Sequence, residues 1–295
     1  MNYPKITVVT PNFNQVNFIE KTIQSVLNQK YPNLEYIIID GGSTDGSIEV
    51  IQKYSKQLFY WVSEKDSGMY HAIQKGFDKS SGEIMTYINS DDILQAHSLF
   101  TVAELFIDHP ELNWINGFPN QIDEYNRMIW FGGLPNWTKY HYLNMQYKYI
   151  QQEGCFWNRK LWNESGGYIS TKYKFASDLE LWSRFFQFSN LYFVPVALGS
   201  FRLRSLNQKT IEHLDKYNDE AEDILKKFQI NASYDDKLLI KKYNSIPGKL
   251  FRRLKSKVLF QTFGYIDIYQ LLSKTDWVFH FDRTLQKFKL NKILK

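Results

Sequence analysis

Residues 36–47 read YIIIDGGSTDGS. Residues 36–39 are an unbroken apolar run, the mark of a strand covered on both faces of its sheet. Asp40 closes the run, two glycines follow, and Ser43 or Asp45 stands where a helix would be capped. Ile48, Ile51 and Tyr54 then recur at helical spacing. A buried strand emptying into a helix is half of a βαβ unit, and the flanking sequence repeats it. Upstream, residues 6–10 (ITVVT) read as a strand. The helix predicted after it has Asn17 as cap, Glu20 three residues on, and Ile19, Ile23, Val26 and Leu27 along one face. Downstream, residues 58–62 are a third strand, 69–77 a helix and 84–88 a fourth strand. This rhythm predicts an α/β fold: a Rossmann-like, mostly parallel sheet with helices on both faces.

Such sheets bind ligands beyond the carboxyl ends of their strands, and the polar residues collect there. Strand one ends in Thr10-Pro11-Asn12, strand two in residues 40–46, strand four in Asn89-Ser90-Asp91-Asp92. Asp91 and Asp92 are hard oxygen ligands suited to Mg²⁺ or Mn²⁺, with substrate phosphates completing the shell. The plainer reading is a solvated turn holding two acids. Asp40 can accept hydrogen bonds from a base or ribose while its glycines let backbone approach a ligand; a capped turn explains the segment as well, except for Asp40 itself. Neither GxGxxG nor GxxxxGK[ST] is present, so a dinucleotide fingerprint and a P-loop are unsupported. In residues 176–182 (ASDLELW), Ser177 and Glu180 have the spacing of a capping box. That leaves Asp178 in the first helical turn, kept ionised by the helix terminus, as a candidate general base or as a simple end charge.

The chain has 295 residues, 43% hydrophobic and 23% charged, enough for one large or two small packed domains. Cys155 is the sole cysteine, which excludes an intramolecular disulfide framework and a cysteine-rich zinc site and fits a reducing compartment. The apolar run near the amino end is too short for a signal peptide, and no 18 apolar residues are consecutive. The expected location is cytoplasmic, peripheral on the inner face of the membrane at most. Residues 248–295 carry eleven Lys/Arg against three Asp/Glu, whereas residues 1–247 carry 25 against 28. A basic tail on a slightly acidic body points to an anionic partner surface.

Residues 116–150 are rich in aromatics and turn formers and read as a long active-site insertion of the kind that forms lids. After Arg204 the βα rhythm stops, and helical spacing takes over at Ile211, Leu214, Ala221, Ile224, Leu225 and Phe228 and again at Leu250, Leu254 and Val258. The division expected is a sheet domain over residues 1–208 and a helical extension over 209–295, basic from 248.

Six stretches in this order resemble family 2 glycosyltransferases, the inverting nucleotide-sugar enzymes of the GT-A fold. They are TVVTPNFNQ (7–15), YIIIDGGSTDGS (36–47), WVSEKDSGMYHAIQKGF (61–77), GEIMTYINSDD (82–92), QQEGCFWNRKLW (151–162) with FASDLELWSRF (175–185), and GSFRLRSLNQKT (199–210). The resemblance covers most of residues 5–210. It implies that Asp40 contacts the base, typically uracil, in a pocket lined by Thr10 and Pro11. Asn12, Gly42, Asp66 and Ser90 complete the nucleotide and donor set, Asp91 coordinates Mn²⁺ or Mg²⁺ with Asp92 beside it, and Asp178 is the catalytic base. Two departures stand out. Asn89 occupies the place of the first acid of the family's D-x-D motif, and His71 and Gln74 stand where an acid and an Asn are frequent.

The implied reaction moves a sugar from a nucleotide donor, UDP by analogy, to a hydroxyl of a glycan or lipid-linked acceptor, as in bacterial surface polysaccharide synthesis. Glu153, Trp157 and Arg202 are the acceptor candidates, with Trp130 and Trp137 as further rings for sugar faces. A glycosidase is disfavoured, because adjacent Asp91 and Asp92 cannot flank a scissile bond. Asn89 keeps open an inactive, nucleotide-sugar-binding scaffold on the same fold. In residues 248–260 (GKLFRRLKSKVLF), Leu250, Leu254 and Val258 share a helical face opposite Arg252, Arg253, Lys255 and Lys257. That fits an interfacial helix on anionic lipid or a basic helix packed on the domain. Nucleic acid is not an expected partner, since acidic strand ends match a phosphate backbone poorly.

Overall fold

The computed structural model describes residues 2–133, 137–146, 149–204, 213–244, 277–282, 284–285 and 287–292. The predicted βαβ run is there: β1 (Ile6–Asn12), α1 (Ile19–Leu27), β2 (Leu34–Asp40), α2 (Ser47–Tyr54), β3 (Tyr60–Ser63), α3 (Met69–Asp78) and β4 (Ile84–Tyr87). A short β5 (Ile93–Leu94) leads through α4 (Ser98–Asp108) to β6 (Trp114–Asn116). The insertion folds as a hairpin, β7 (Asn120–Ile122) and β8 (Met128–Phe131), and a short α5 (Lys139–Leu143). β9 (Cys155–Asn158), α6 (Arg159–Glu164), α7 (Ser177–Phe188), β10 (Tyr192–Phe193) and β11 (Gly199–Arg202) follow.

The main sheet has the order β10-β6-β9-β4-β1-β2-β3. Its strands are parallel apart from β9, which runs against both β4 and β6. Strand alternation deals the apolar residues to two cores. Val9, Ile37 and Ile39 face one, with Ile73 and Phe77 of α3, Leu161 of α6 and Trp182 of α7. Ile6, Val8 and Ile38 face the other, with Ile19 and Ile23 of α1, Ile51 of α2 and Val102 of α4. Both faces are dry, so β1 and β2 can carry apolar residues at consecutive positions in their middles. A second sheet, β5-β11-β7-β8, lies at the rim of the first.

Three expectations are corrected. The carboxyl-terminal part is not wholly helical: α8 (Leu214–Ile230) and α9 (Tyr234–Asn244) are followed by an antiparallel hairpin of β12 (Trp277–Asp282) and β13 (Lys287–Lys292). A division at residue 208 does not separate two cores either. Tyr217, Ala221, Ile224, Leu225 and Phe228 of α8 are buried in the same cluster as Trp182. Side-chain capping fails at all three predicted helix starts, those of α1, α2 and α7. Helix α1 starts after Phe18, and Glu20 instead accepts the Tyr54 hydroxyl at 3.0 Å. In α7, Ser177 is itself the first helical residue, its Oγ bonds the Tyr173 carbonyl, and Glu180 is taken by a bidentate pair with Arg184. Residues 250–260 lie outside the described residues.

Candidate active site

Parallel register sets the first part of the site. Asn12 pairs with Asp40 and Asp40 with Ser63, so three polar residues stand abreast at the ends of β1, β2 and β3. Asp40 is fully buried. Its Oδ1 accepts from Asn12 Nδ2 at 2.7 Å and Ser43 Oγ at 2.5 Å. Its Oδ2 accepts from the Gly42 and Ser43 amides at 3.1 and 2.9 Å and from Ser63 Oγ at 2.6 Å. Burial alone would raise the Asp40 pKa, but these donors outweigh it and hold the carboxyl below the usual range. Asp40 therefore knits the loop rather than presenting free oxygens to a base. Ser43 Oγ also accepts from the Asn14 amide, and Asp45 accepts from the Ser47 amide and hydroxyl and from the Val16 amide, which laces the β1 loop to the β2 loop. Thr10 is buried and bonded to the Tyr36 hydroxyl, and Pro11 is buried beside it. Asp66 reaches this same loop. Its Oδ2 lies 2.8 Å from where a Cβ on Gly41 would sit, so a side chain there would displace the Asp66 carboxylate, and its Oδ1 accepts from the Gly68 amide.

The turn after β4 is the second part. Thr22 Oγ1 bonds the carbonyls of Ser90 and Asp92, pinning the turn to α1. From the β11 side, Arg204 pairs with Asp91 Oδ2 at 3.0 Å and donates to Gln15 Oε1 at 3.0 Å, bridging the β4 turn to the β1 loop. Asp92, expected beside the metal ligand, is engaged by the chain's own groups. Asp92 is buried, accepts from the Arg202 amide at 2.7 Å and from Asn89 Nδ2, and shares a hydrogen bond with buried Glu153. Burial pushes both acids up, Glu153 to about 7; the Glu153 carboxyl raises Asp92 further, while the shared hydrogen bond draws Glu153 back down. Among the described residues no three His, Cys, Asp or Glu side chains cluster as a metal site. Asn89 Oδ1, however, is a buried carbonyl oxygen with no partner.

The acceptor candidates move inward. Trp157 is 0% exposed on β9 and packs among Phe77, Trp162, Trp182 and Phe185. Arg202 is buried too, donating to the carbonyls of Asp91 and Asp123. With Glu153 spent on Asp92, none of the three is placed to touch an acceptor. Trp137 is also buried, whereas Trp130 on β8 is 48% exposed.

Asp178 is the third part. It sits part-exposed in the first turn of α7, its Oδ1 accepting its neighbour Leu179's amide at 2.8 Å, with the Tyr70 hydroxyl in hydrogen-bond reach. The tyrosines Tyr70, Tyr87, Tyr142 and Tyr217 are buried around it, and burial followed by its charge keeps each phenol protonated. Burial likewise raises Asp178, to about 6, against the opposing pull of the Leu179 amide. Asp178 is thus still mostly ionised at neutral pH, as expected, but burial brings its titration close to neutrality. The sequence reading did not single out this aromatic ring or the loop in front of α7. That loop is tied to α8, where Glu220 accepts the amides of Lys174, Phe175 and Ala176 at 2.9, 2.8 and 3.0 Å. The available signal was Glu220's place between core positions Tyr217, Ala221 and Ile224 on the buried face of α8.

An open, mostly parallel sheet with one reversed strand and acids gathered at its strand ends is the fold of the GT-A glycosyltransferases. Residues 7–165, more than half of the chain, match the sequence profile of glycosyl transferase family 2, and the chain belongs to that family. Among curated relatives, the putative teichuronic acid biosynthesis glycosyltransferase TuaG of Bacillus subtilis (strain 168) is 36% identical over 92 residues, 30% of this chain and 36% of TuaG. A Campylobacter jejuni protein named GalNAc(5)-diNAcBac-PP-undecaprenol beta-1,3-glucosyltransferase is 32% identical over 105 residues, 34% of either chain. The match thus spans about a third of the length of these relatives. Among solved structures, S. aureus TarS 1–349 in complex with UDP superposes with a TM-score of 0.62 at 14% identity, covering 92% of this chain and 78% of that one. The mannosyltransferase PcManGT from Pyrobaculum calidifontis, in complex with GDP-Man and Mn²⁺, gives 0.54 at 15% identity, covering 88% and 86%.

Proposed function

We propose that this chain transfers a sugar from a nucleotide donor, UDP in the first instance, to a hydroxyl of a glycan or lipid-linked acceptor, with inversion at the anomeric carbon. The observation that carries this reading is Asp178, a carboxylate that ionises at about 6 inside an aromatic wall. A base whose pKa lies near working pH is the efficient one. In a single displacement the acceptor hydroxyl gives its proton to Asp178 while its oxygen bonds to the anomeric carbon. The bond from that carbon to the diphosphate oxygen breaks, and its electron pair leaves with the nucleoside diphosphate. Arg204, beside Asp91, offers positive charge at the strand end where that negative charge would grow. The UDP held by TarS and the undecaprenol-linked substrate in the name of the Campylobacter relative support the donor and acceptor classes. TuaG supports bacterial surface polysaccharide as the product.

Mn²⁺ or Mg²⁺ fits the residues present. Asp91 would give a carboxylate oxygen and Asn89 its unpartnered Oδ1, and either ion takes few protein oxygens when phosphates complete its shell. When bound, the ion would supply charge neutralisation of the diphosphate. Calorimetric titration with UDP tests the reading. Wild type is expected to bind, more tightly with Mn²⁺, and Asp91→Asn to lose the metal-dependent part. No binding with or without Mn²⁺ overturns the UDP assignment. The second reading, an inactive nucleotide-sugar-binding scaffold, draws on neutral Asn89 and on the Arg204 pairing of Asp91; turnover of a donor by wild type removes it. The basic residues of 248–295 support a cytoplasmic chain working at an anionic membrane face. Failure to co-sediment with anionic vesicles at low salt overturns that part.

A further inference from the structure

We infer that Glu220, on α8 and outside every motif of the site, is a positioning residue that fixes the loop carrying Asp178. The inference rests on the reading of Asp178 as the base. Three consecutive amides, those of Lys174, Phe175 and Ala176, converge on one Glu220 carboxylate. Ala176 is the residue immediately before α7, so its amide is one that a helix start leaves without an intrahelical partner, and the Lys174 and Phe175 amides belong to the turn leading into it. The usual local remedy is missing here, since Ser177 and Glu180 are both engaged elsewhere. A second strap from the same helix holds the loop two residues earlier, where the Tyr173 hydroxyl donates to Asp223 Oδ2 at 2.7 Å and accepts from Lys227 Nζ at 3.0 Å. On the opposite side, the Tyr70 hydroxyl of α3 donates to the Phe175 carbonyl at 3.2 Å. The loop is therefore gripped between α3 and α8, two residues from the Asp178 carboxylate.

Glu220 also acts through charge. The groups facing Asp178 are the phenols of Tyr70 on α3, Tyr87 on β4, Tyr142 on α5 and Tyr217 on α8, the thiol of Cys155 on β9, and the carboxyls of Glu153 and Glu220. The Glu220 charge is among those that raise Asp178, so it favours a more basic carboxylate as well as a fixed one.

The test compares Glu220→Ala and Glu220→Gln with wild type and Asp178→Asn in the full chain. UDP binding, kcat and the pH dependence of kcat/KM would be measured, using the donor found to turn over. Glu220→Ala is expected to lower kcat by about 10- to 100-fold, the cost of a small misplacement of the base, with the Kd for UDP unchanged. Glu220→Gln keeps the shape and part of the acceptor capacity, so it should restore much of kcat while moving the acid limb of the profile to lower pH. A merely structural role would lower thermal stability and leave that limb in place. If both variants fold and bind UDP, and neither kcat nor the acid limb changes, the inference is overturned while the base assignment stands. Full turnover by Asp178→Asn would instead overturn the base assignment.

Discussion

Two carboxylates at opposite ends of the site are handled in opposite ways. Asp40 closes β2 within a web of five donors drawn from β1, β3 and its own turn, and those donors hold its pKa down in spite of full burial. Asp178 sits in the first turn of α7 among tyrosine rings, held by the Leu179 amide and the Tyr70 hydroxyl, and burial drives its pKa up. A group that shapes a binding surface must keep one charge state and one position. A group that takes a proton must sit close to the pH at which it works. The strand-end half of the molecule is built for constancy, and the α7–α8 half for a change of state.

That contrast can be broken experimentally. The largest effect expected is on Asp178→Asn, which should lower kcat by about 10²–10⁴-fold, the usual contribution of a positioned base, and leave UDP affinity unchanged by calorimetry. In wild type, kcat/KM should fall about tenfold per pH unit below pH ~6, where Asp178 takes up its proton, while Asp40 stays ionised. A flat profile from pH 5 to 8 would remove the difference between the two acids. Next, Asp40→Ala should destabilise the fold by more than about 3 kcal/mol in chemical denaturation, because several donors lose their acceptor at once. A loss below about 1 kcal/mol would mean that the web relaxes onto other partners.

The smallest effect concerns the Asp92–Glu153 pair, which lies between the two halves. Glu153 titrates at about 7 when folded and near 4.5 in its ordinary state. Its raised value gives stability that is fully present below about pH 4.5 and lost as pH rises through about 7. Glu153→Gln escapes that loss. Its thermal midpoint should match wild type near pH 4.5 and exceed it by a few degrees at pH 8, on the order of 1–3 kcal/mol. Equal midpoints at both pH values would show that the pair does not hold a shared proton.

The strand-end half was largely legible in the sequence, because its structure follows from local pattern. The unbroken apolar run at residues 36–39 and the apolar run interrupted only by Thr86 at 84–88 mark strands covered on both faces, and the residues at their ends name the site edge. The other half depends on contacts across long stretches of chain. Trp157 reads as a ring in an acceptor segment, yet β9 lies between β4 and β6 in mid-sheet, so its side chains enter the cores. Asp92 reads as half of an acidic pair until β9 and β11 close over it with Glu153 and Arg202. The Ser177–Glu180 spacing is a capping box in form, but Arg184 one turn on competes for the glutamate, and the amides just before the helix fall to Glu220. No local pattern records a partner that arrives from another helix.

The grip of α8 on the loop before α7 also sets an order of events during synthesis. The Ala176 amide and the Glu220 carboxylate are 44 residues apart in the chain. At the ribosome's pace of about 5–20 residues per second, that interval lasts about 2–9 s. The β1, β2 and β4 ends, with every donor that holds Asp40, exist throughout those seconds. The clamp on the Asp178 loop does not, so a nascent chain can set its strand-end web of hydrogen bonds before it can fix the loop that leads into α7.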